Sequence, residues 1–325
     1  MAATRGGKGF EQQVAAVRAA LEDRSAKASA ALLAKTLGGA SGHLIGMIAD
    51  ELDESDRALA AALPDAFTRL LDEPIKRDAG CRGKVAIAKA LDRIELREDA
   101  VFLAGVRHVQ REPVWGGSVD TAAELRGVCG MALVHMRHDR AMVECALLLA
   151  DPELRARSAA ARALAASGDR MVAEPLLRLR IAIGEPEPEV TGELFAALLE
   201  LVGSAAIADV AGYMRHRDPA LAEAAALALG SSRLPGAFAA LREAEDAFVG
   251  AARRIRLLAI ALLRDDAAWT WLLERVEEGA RPEAEDAARA LATFRHDSDL
   301  AAKLRAAGVR RKELHALIGE LLDES

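Results

Sequence analysis

Four side chains in one stretch of this chain are of the types that hold metals: Cys129, His135, His138 and Cys145. Imidazole nitrogen and thiolate sulfur are common ligands of zinc. His135 and His138 stand three apart, so one helix face could carry both. The spacing C-x5-H-x2-H-x6-C matches no recognised zinc pattern, however. HMRHDR, residues 135–140, also reads as the polar end of a helix before a turn. The sequence therefore predicts no metal and no other cofactor, with these four as the one candidate set.

A second group is suited to holding a partner. REPVWGGSVDTAAELRG, residues 111–127, interrupts a chain made mostly of Ala, Leu, Arg and Glu. Pro113 disfavours helix at the residue before it, and Gly116 and Gly117 allow positive φ. Thr121 followed by Glu124 fits a capping box that opens the next helix. A long inter-helix loop is thus expected over about 107–121. Arg107, His108, Arg111 and Trp115 lie in it, and Trp and Arg are the types that concentrate binding energy at interfaces. Either these four form an anchor for a partner, or Trp115 folds back as a plug over a packing seam. Arg178, Arg180, Arg215 and Arg217, near the ends of expected helices, could make a further positive strip. Arg253, Arg254 and Arg256 read as facing outward.

Signatures of bond-making chemistry are thin, and an enzymatic role is not the expected one. GGASG at 38–42 lacks the lysine of a phosphate-binding loop, and no G-x-S-x-G elbow occurs. No residue is assigned a catalytic role.

The elements that must position these residues are helices. The 325 residues are 52% hydrophobic but only 3% aromatic, with alanine dominant, which suits closely packed helices and not sheets. The net charge of −7 speaks against a protein whose main task is neutralising phosphates. Three cysteines without paired spacing fit a reducing compartment, and MAATRGGKGF lacks a signal-type apolar segment. No membrane span is expected, and the reading is cytoplasmic.

One leucine per Ala-rich stretch (Leu33, Leu63, Leu91, Leu133, Leu164, Leu198, Leu229, Leu262, Leu291, Leu321) gives intervals of 30, 28, 42, 31, 34, 31, 33, 29 and 30. The interval of 42 contains the unusual stretch. Asp-Pro at 151–152 and 218–219, and Gly-Asp at 168–169, punctuate the period as helix starts and turns. Such a period indicates repeated pairs of antiparallel helices that bury their apolar faces only by stacking.

DPELRARSAAARALAASGD, residues 151–169, resembles the consensus of bacterial HEAT repeats, including the HEAT-like repeats of phycobilisome lyases. Asp151, Pro152, Arg157, Ala160, Ala163, Leu164, Gly168 and Asp169 carry the match. In that family a first-helix arginine and a turn aspartate tie neighbouring repeats, which puts those roles on Arg157 and Asp169. DPALAEAAALALG, residues 218–230, is a weaker copy without the arginine. The resemblance implies an all-α fold, an α-solenoid of about ten stacked helix pairs in a right-handed superhelix. Residues 1–10 would be a disordered tail and 11–325 a single solenoid. It further implies a non-enzymatic scaffold whose concave surface binds a protein partner. The alternatives are an enzyme of the bilin-lyase or DNA-glycosylase type, or an architectural subunit. Oligomeric state is left open.

Overall fold

A computed structural model describes residues 3–39 and 41–323, with side chains from residue 9 onward. The chain is predominantly helical, and its only sheet among the described residues is a two-stranded hairpin. It divides into two compact units, Met1–Ser167 and Gly168–Ser325. The first helix, Ala3–Glu22, takes in residues 3–10, which the sequence reading had assigned to a tail.

Within the first unit, the helices Gly42–Glu51, Arg82–Arg93, Ala123–His135 and Leu154–Ala166 pack each against the next. Shorter helices, among them Leu63–Leu71, Asp99–Gly105 and Ala141–Leu148, alternate with them. Small residues permit the close approach. A Cβ added to Gly83 would lie 2.6 Å from the carbonyl oxygen of Gly42 on the preceding helix. Phe67, Phe102, Ile45 and Leu133 fill the core around these seams. Within the second unit, Pro188–Val202, Pro219–Ser232, Arg253–Leu262 and Arg281–Ala292 pack in the same consecutive way. The final helix, His315–Asp323, buries Ile318 against the two helices before it.

The period of about thirty also marks the backbone. Glu95, Arg137, Gly168, Gly203, Arg233 and Arg264 each have φ between 52° and 73° just past the end of such a helix. Their intervals are 42, 31, 35, 30 and 31. A left-handed residue there ends the helix and reverses the chain. Four of the six are not glycine, so the turn is held against a steric cost.

One stretch, Pro188–Arg215, is long and apolar enough by length and composition to cross a membrane, contrary to the sequence expectation. Gly203 breaks its helix at φ 73°. Val190, Leu194, Phe195, Leu198 and Leu199 are buried inside the second unit, as in a core helix of a folded domain.

Candidate functional site

The 107–121 stretch is not an irregular loop. The helix before it ends at Gly105, and Arg111–Val114 pairs antiparallel with Gly117–Asp120 as strands β1 and β2. Trp115 and Gly116 form the two-residue turn, with Gly116 at φ 88°, where only glycine sits without steric cost. Pro113 is compatible with strand here because both strands are edges. Trp115 stands fully in solvent, 103% exposed. The plug reading is therefore corrected: the side chain covers no seam. Val109, Val114 and Val119 are also about half-exposed beside it.

What holds a short hairpin upright is a buried polar network at its base. Asp78 accepts from the backbone of Gly83 (2.7 Å) and Lys84 (3.0 Å) at the start of the helix Arg82–Arg93, where a negative charge is favoured. The fully buried Lys84 ammonium also donates to Asp78, at 2.9 Å. Gln110 Nε2 donates to the Asp78 carbonyl (2.8 Å) and to Glu112 Oε1 (2.7 Å). The same Glu112 oxygen accepts from Gly80 N (2.6 Å) and Thr121 Oγ1 (2.8 Å). Thr121 thus serves the hairpin and does not cap the next helix, as its spacing to Glu124 had suggested.

Arg126 closes the network. It is 3% exposed and donates from Nη1 to Asp120 (2.7 Å) and to the His108 carbonyl (2.9 Å). Its Nε and Nη2 fork onto Asp151, at 2.7 and 2.8 Å. Asp120 Oδ1 in turn accepts from the backbone of Gln110 and Ala122. Burial alone would raise the Asp120 carboxyl; the bonds from Ala122, Gln110 and Arg126 outweigh it and hold the group below its ordinary range. Glu112 is lowered by the same balance, with Gln110, Thr121 and Gly80 as donors. Burial also lowers His108, which keeps its imidazole neutral near pH 7. At the base, Lys84 and Arg126 are thus ion-paired, and Glu112 is held by three uncharged donors.

The four residues expected to form one anchor do not converge. Arg107 is held by the buried carboxylate of Glu144, which Arg140 also contacts. His108 is half-buried, with Nε2 3.3 Å from Gln110 Oε1. Only Arg111 and Trp115 ride on the hairpin in the open. The second strip is neutralised along most of its length. Arg178 meets Glu174 and Asp209 at 2.8 Å, Arg180 meets Glu185, and Arg215 meets Asp246 at 2.6 Å. Arg217 is exposed. Arg256, read as outward-facing, is fully buried.

The candidate metal set does not assemble either. Cys129 and Cys145 are buried, and burial raises both thiols, that of Cys145 to about 12. Without a metal beside them they are neutral thiols. His135 faces Asp92 at 2.9 Å, and His138 lies 3.8 Å from Asp99. Among the described residues no group of three or more His, Cys, Asp or Glu is placed to hold a metal ion.

The His135–Asp92 pair sits at the edge of a groove of about 670 Å³ with Leu91, Leu96, Phe102 and Met136 in its lining. Glu95, Arg97 and Arg137 supply its other charged lining residues.

Of the HEAT-matching positions, Asp151 takes the Arg126 fork, and Arg157 donates to the carbonyls of Asp151 (2.9 Å) and Pro152 (3.0 Å). Gly168 turns the chain at φ 65°, and Asp169 caps the helix Arg170–Ile183 through Val172 N. Sequence reasoning missed Asp78, Lys84, Gln110, Glu112, Asp120 and Arg126. One signal was present: Arg126 precedes Arg157 by 31 residues, one period. No protein-family model matches the chain, and no curated protein matches it.

Proposed function

We propose that this chain is a non-enzymatic HEAT-type α-solenoid that binds a protein partner, with the β1–β2 hairpin as its anchor. The solenoid reading rests on the consecutive packing of like helices inside each unit and on left-handed residues recurring about every thirty positions. Stacked helix pairs of this kind present extended surfaces suited to protein ligands. The resemblance of residues 151–169 to HEAT repeats points the same way.

The observation that carries the binding role is Trp115, wholly in water at the tip of a hairpin whose base is locked by buried ion pairs. A mobile loop would lose conformational entropy on binding; this one is already ordered. Burying an indole of roughly 200 Å² removes about 5 kcal/mol worth of apolar surface from water before association costs. Val114 and Val119 flank it, and Arg111 supplies a cation at the base.

The test is affinity capture from native lysate by the wild-type chain and by Trp115→Ala/Arg111→Ala, both shown folded by circular dichroism. A discrete protein recovered by the wild type and lost with the variant supports the reading. The same proteins recovered by both, or none by either, rejects the hairpin as anchor.

A further inference from the structure

Trp115 stands fully in solvent at the tip of the hairpin, and no residue of its own chain covers it. Arg111, exposed on the same hairpin, has no hydrogen-bond or ion partner among the described residues. Elsewhere in the first unit lies the groove of about 670 Å³. Half-buried Leu96 and Met136 line it over the buried Phe102. Arg97, bonded to the Met136 carbonyl, and Arg137 are exposed in its lining. Glu95, exposed there too, has no side-chain partner among the described residues.

Hairpin and groove sit at opposite ends of the same helices. Glu112 and Gln110 tie the hairpin base to Gly80 and Asp78, just ahead of the helix Arg82–Arg93. The groove takes its lining from the last turn of that helix and from His135, Met136 and Arg137 at the end of Ala123–His135. Twelve residues of helix separate the two, about 18 Å at 1.5 Å per residue. The four-residue strands reach only about 13 Å. No copy therefore fills its own groove with its own tryptophan, but a neighbouring copy can.

We infer that the hairpin of one copy seats Trp115 in this groove of a second copy, joining the chains head to tail. The inference rests on the anchor role proposed above and names its partner. The groove is of the size that buries small apolar ligands, so it takes one indole with the neighbouring Val114. The indole body rests on Leu96 and Met136, and a thioether is a favourable neighbour of an aromatic ring. The ring faces meet the guanidinium groups of Arg97 and Arg137, since cations are drawn to the face of an indole. The free charges match as well: Arg111 comes with the hairpin, and Glu95 awaits it at the groove. Hairpin and groove are different surfaces, so the contact is heterologous and leaves one of each free at the ends of any row of copies.

The experiment is sedimentation velocity on the full chain over a rising concentration series. The wild type should associate into dimers and longer species. Trp115→Ala, which loses the anchor, and Met136→Glu, which spoils the groove, should each stay monomeric with an unchanged circular dichroism spectrum. An equimolar mixture of these two variants should form a one-to-one complex and nothing larger, because one supplies the groove and the other the hairpin. Arg111→Glu should weaken association at least tenfold, and adding Glu95→Arg to it should restore it. The inference is overturned if the wild type stays monomeric, if Met136→Glu associates as the wild type does, or if the mixture forms no complex. A monomeric wild type that still loses a lysate protein on Trp115→Ala overturns the second copy as partner and leaves the hairpin as an anchor for another protein.

Discussion

Replacing Arg126 with methionine removes the cation that joins Asp120 to Asp151. Both carboxylates are nearly sealed, with side chains 3% and 9% exposed. Asp120 keeps its two backbone donors and Asp151 keeps Glu153 N, but neither keeps a counter-charge. Breaking a buried ion pair from one side costs about 3–5 kcal/mol. For a unit of this size each kcal/mol shifts the melting temperature by about 2–4 °C, so Arg126→Met should lower the melt of the first unit by roughly 6–20 °C. The assay is thermal unfolding by circular dichroism at pH 7 and pH 4. In the wild type the Asp120 carboxyl sits below its ordinary value of 3.8. Its contribution to stability is present above that pH and is lost as pH falls through the lower folded value. In the variant the cation that helps depress it is gone, so the Asp120 carboxyl protonates more readily and the deficit should shrink at pH 4. Adding Asp120→Asn and Asp151→Asn should recover part of the loss at pH 7. A drop of less than 2 °C, or one equal at both pH values, would refute the reasoning that this ion cluster holds the hairpin base.

Trp115→Ala should change stability by less than about 0.5 kcal/mol, because the side chain is fully exposed, while removing the tryptophan emission most accessible to iodide; a large destabilisation would mean the ring packs. Cys81 and Cys145, pushed by burial up to about 12, and Cys129, raised further still, should resist a thiol reagent at pH 8 until denaturant is added; prompt labelling of the native chain would contradict the burial. Gly83→Ala should cost about 1–3 kcal/mol, since its Cβ meets the Gly42 backbone at 2.6 Å. Gly192→Ala, whose nearest neighbour would be 3.7 Å away, should be neutral or stabilising in a helix. Equal melting temperatures for the two variants would show that the helices Gly42–Glu51 and Arg82–Arg93 do not approach as described.

The helical class could be read from the chain because alanine and leucine dominate it and strand-forming runs are scarce. The leucine intervals also located the insertion, and the long interval of 42 recurs between Glu95 and Arg137 in the backbone. Its form was hidden. Pro113 argues against strand in general, and only the edge position of β1 makes it acceptable. The polar base was hidden for a different reason. Asp78, Lys84, Gln110, Asp120, Arg126 and Asp151 are spread over much of the first unit, and each looks like an ordinary surface residue until the helices bring them together. The pairing of Arg107 was hidden on the same ground, since Glu144 lies 37 residues further on. The exposure of Trp115 follows from the direction of a hairpin that periodicity could not describe. Arg256 was read as outward because three arginines near one helix start suggest a solvated face; Asp286 takes Arg253 and Arg254, and the third turns inward.

The most direct test of the binding role is a photo-crosslinking residue, p-benzoylphenylalanine, placed at position 115 of the full chain in its native cells. Position 309, also exposed but in the other unit, serves as the control. The account requires one discrete protein adduct from position 115 that is absent from position 309. No adduct at 115, or the same adducts from both positions, would contradict the hairpin as an anchor for a protein partner.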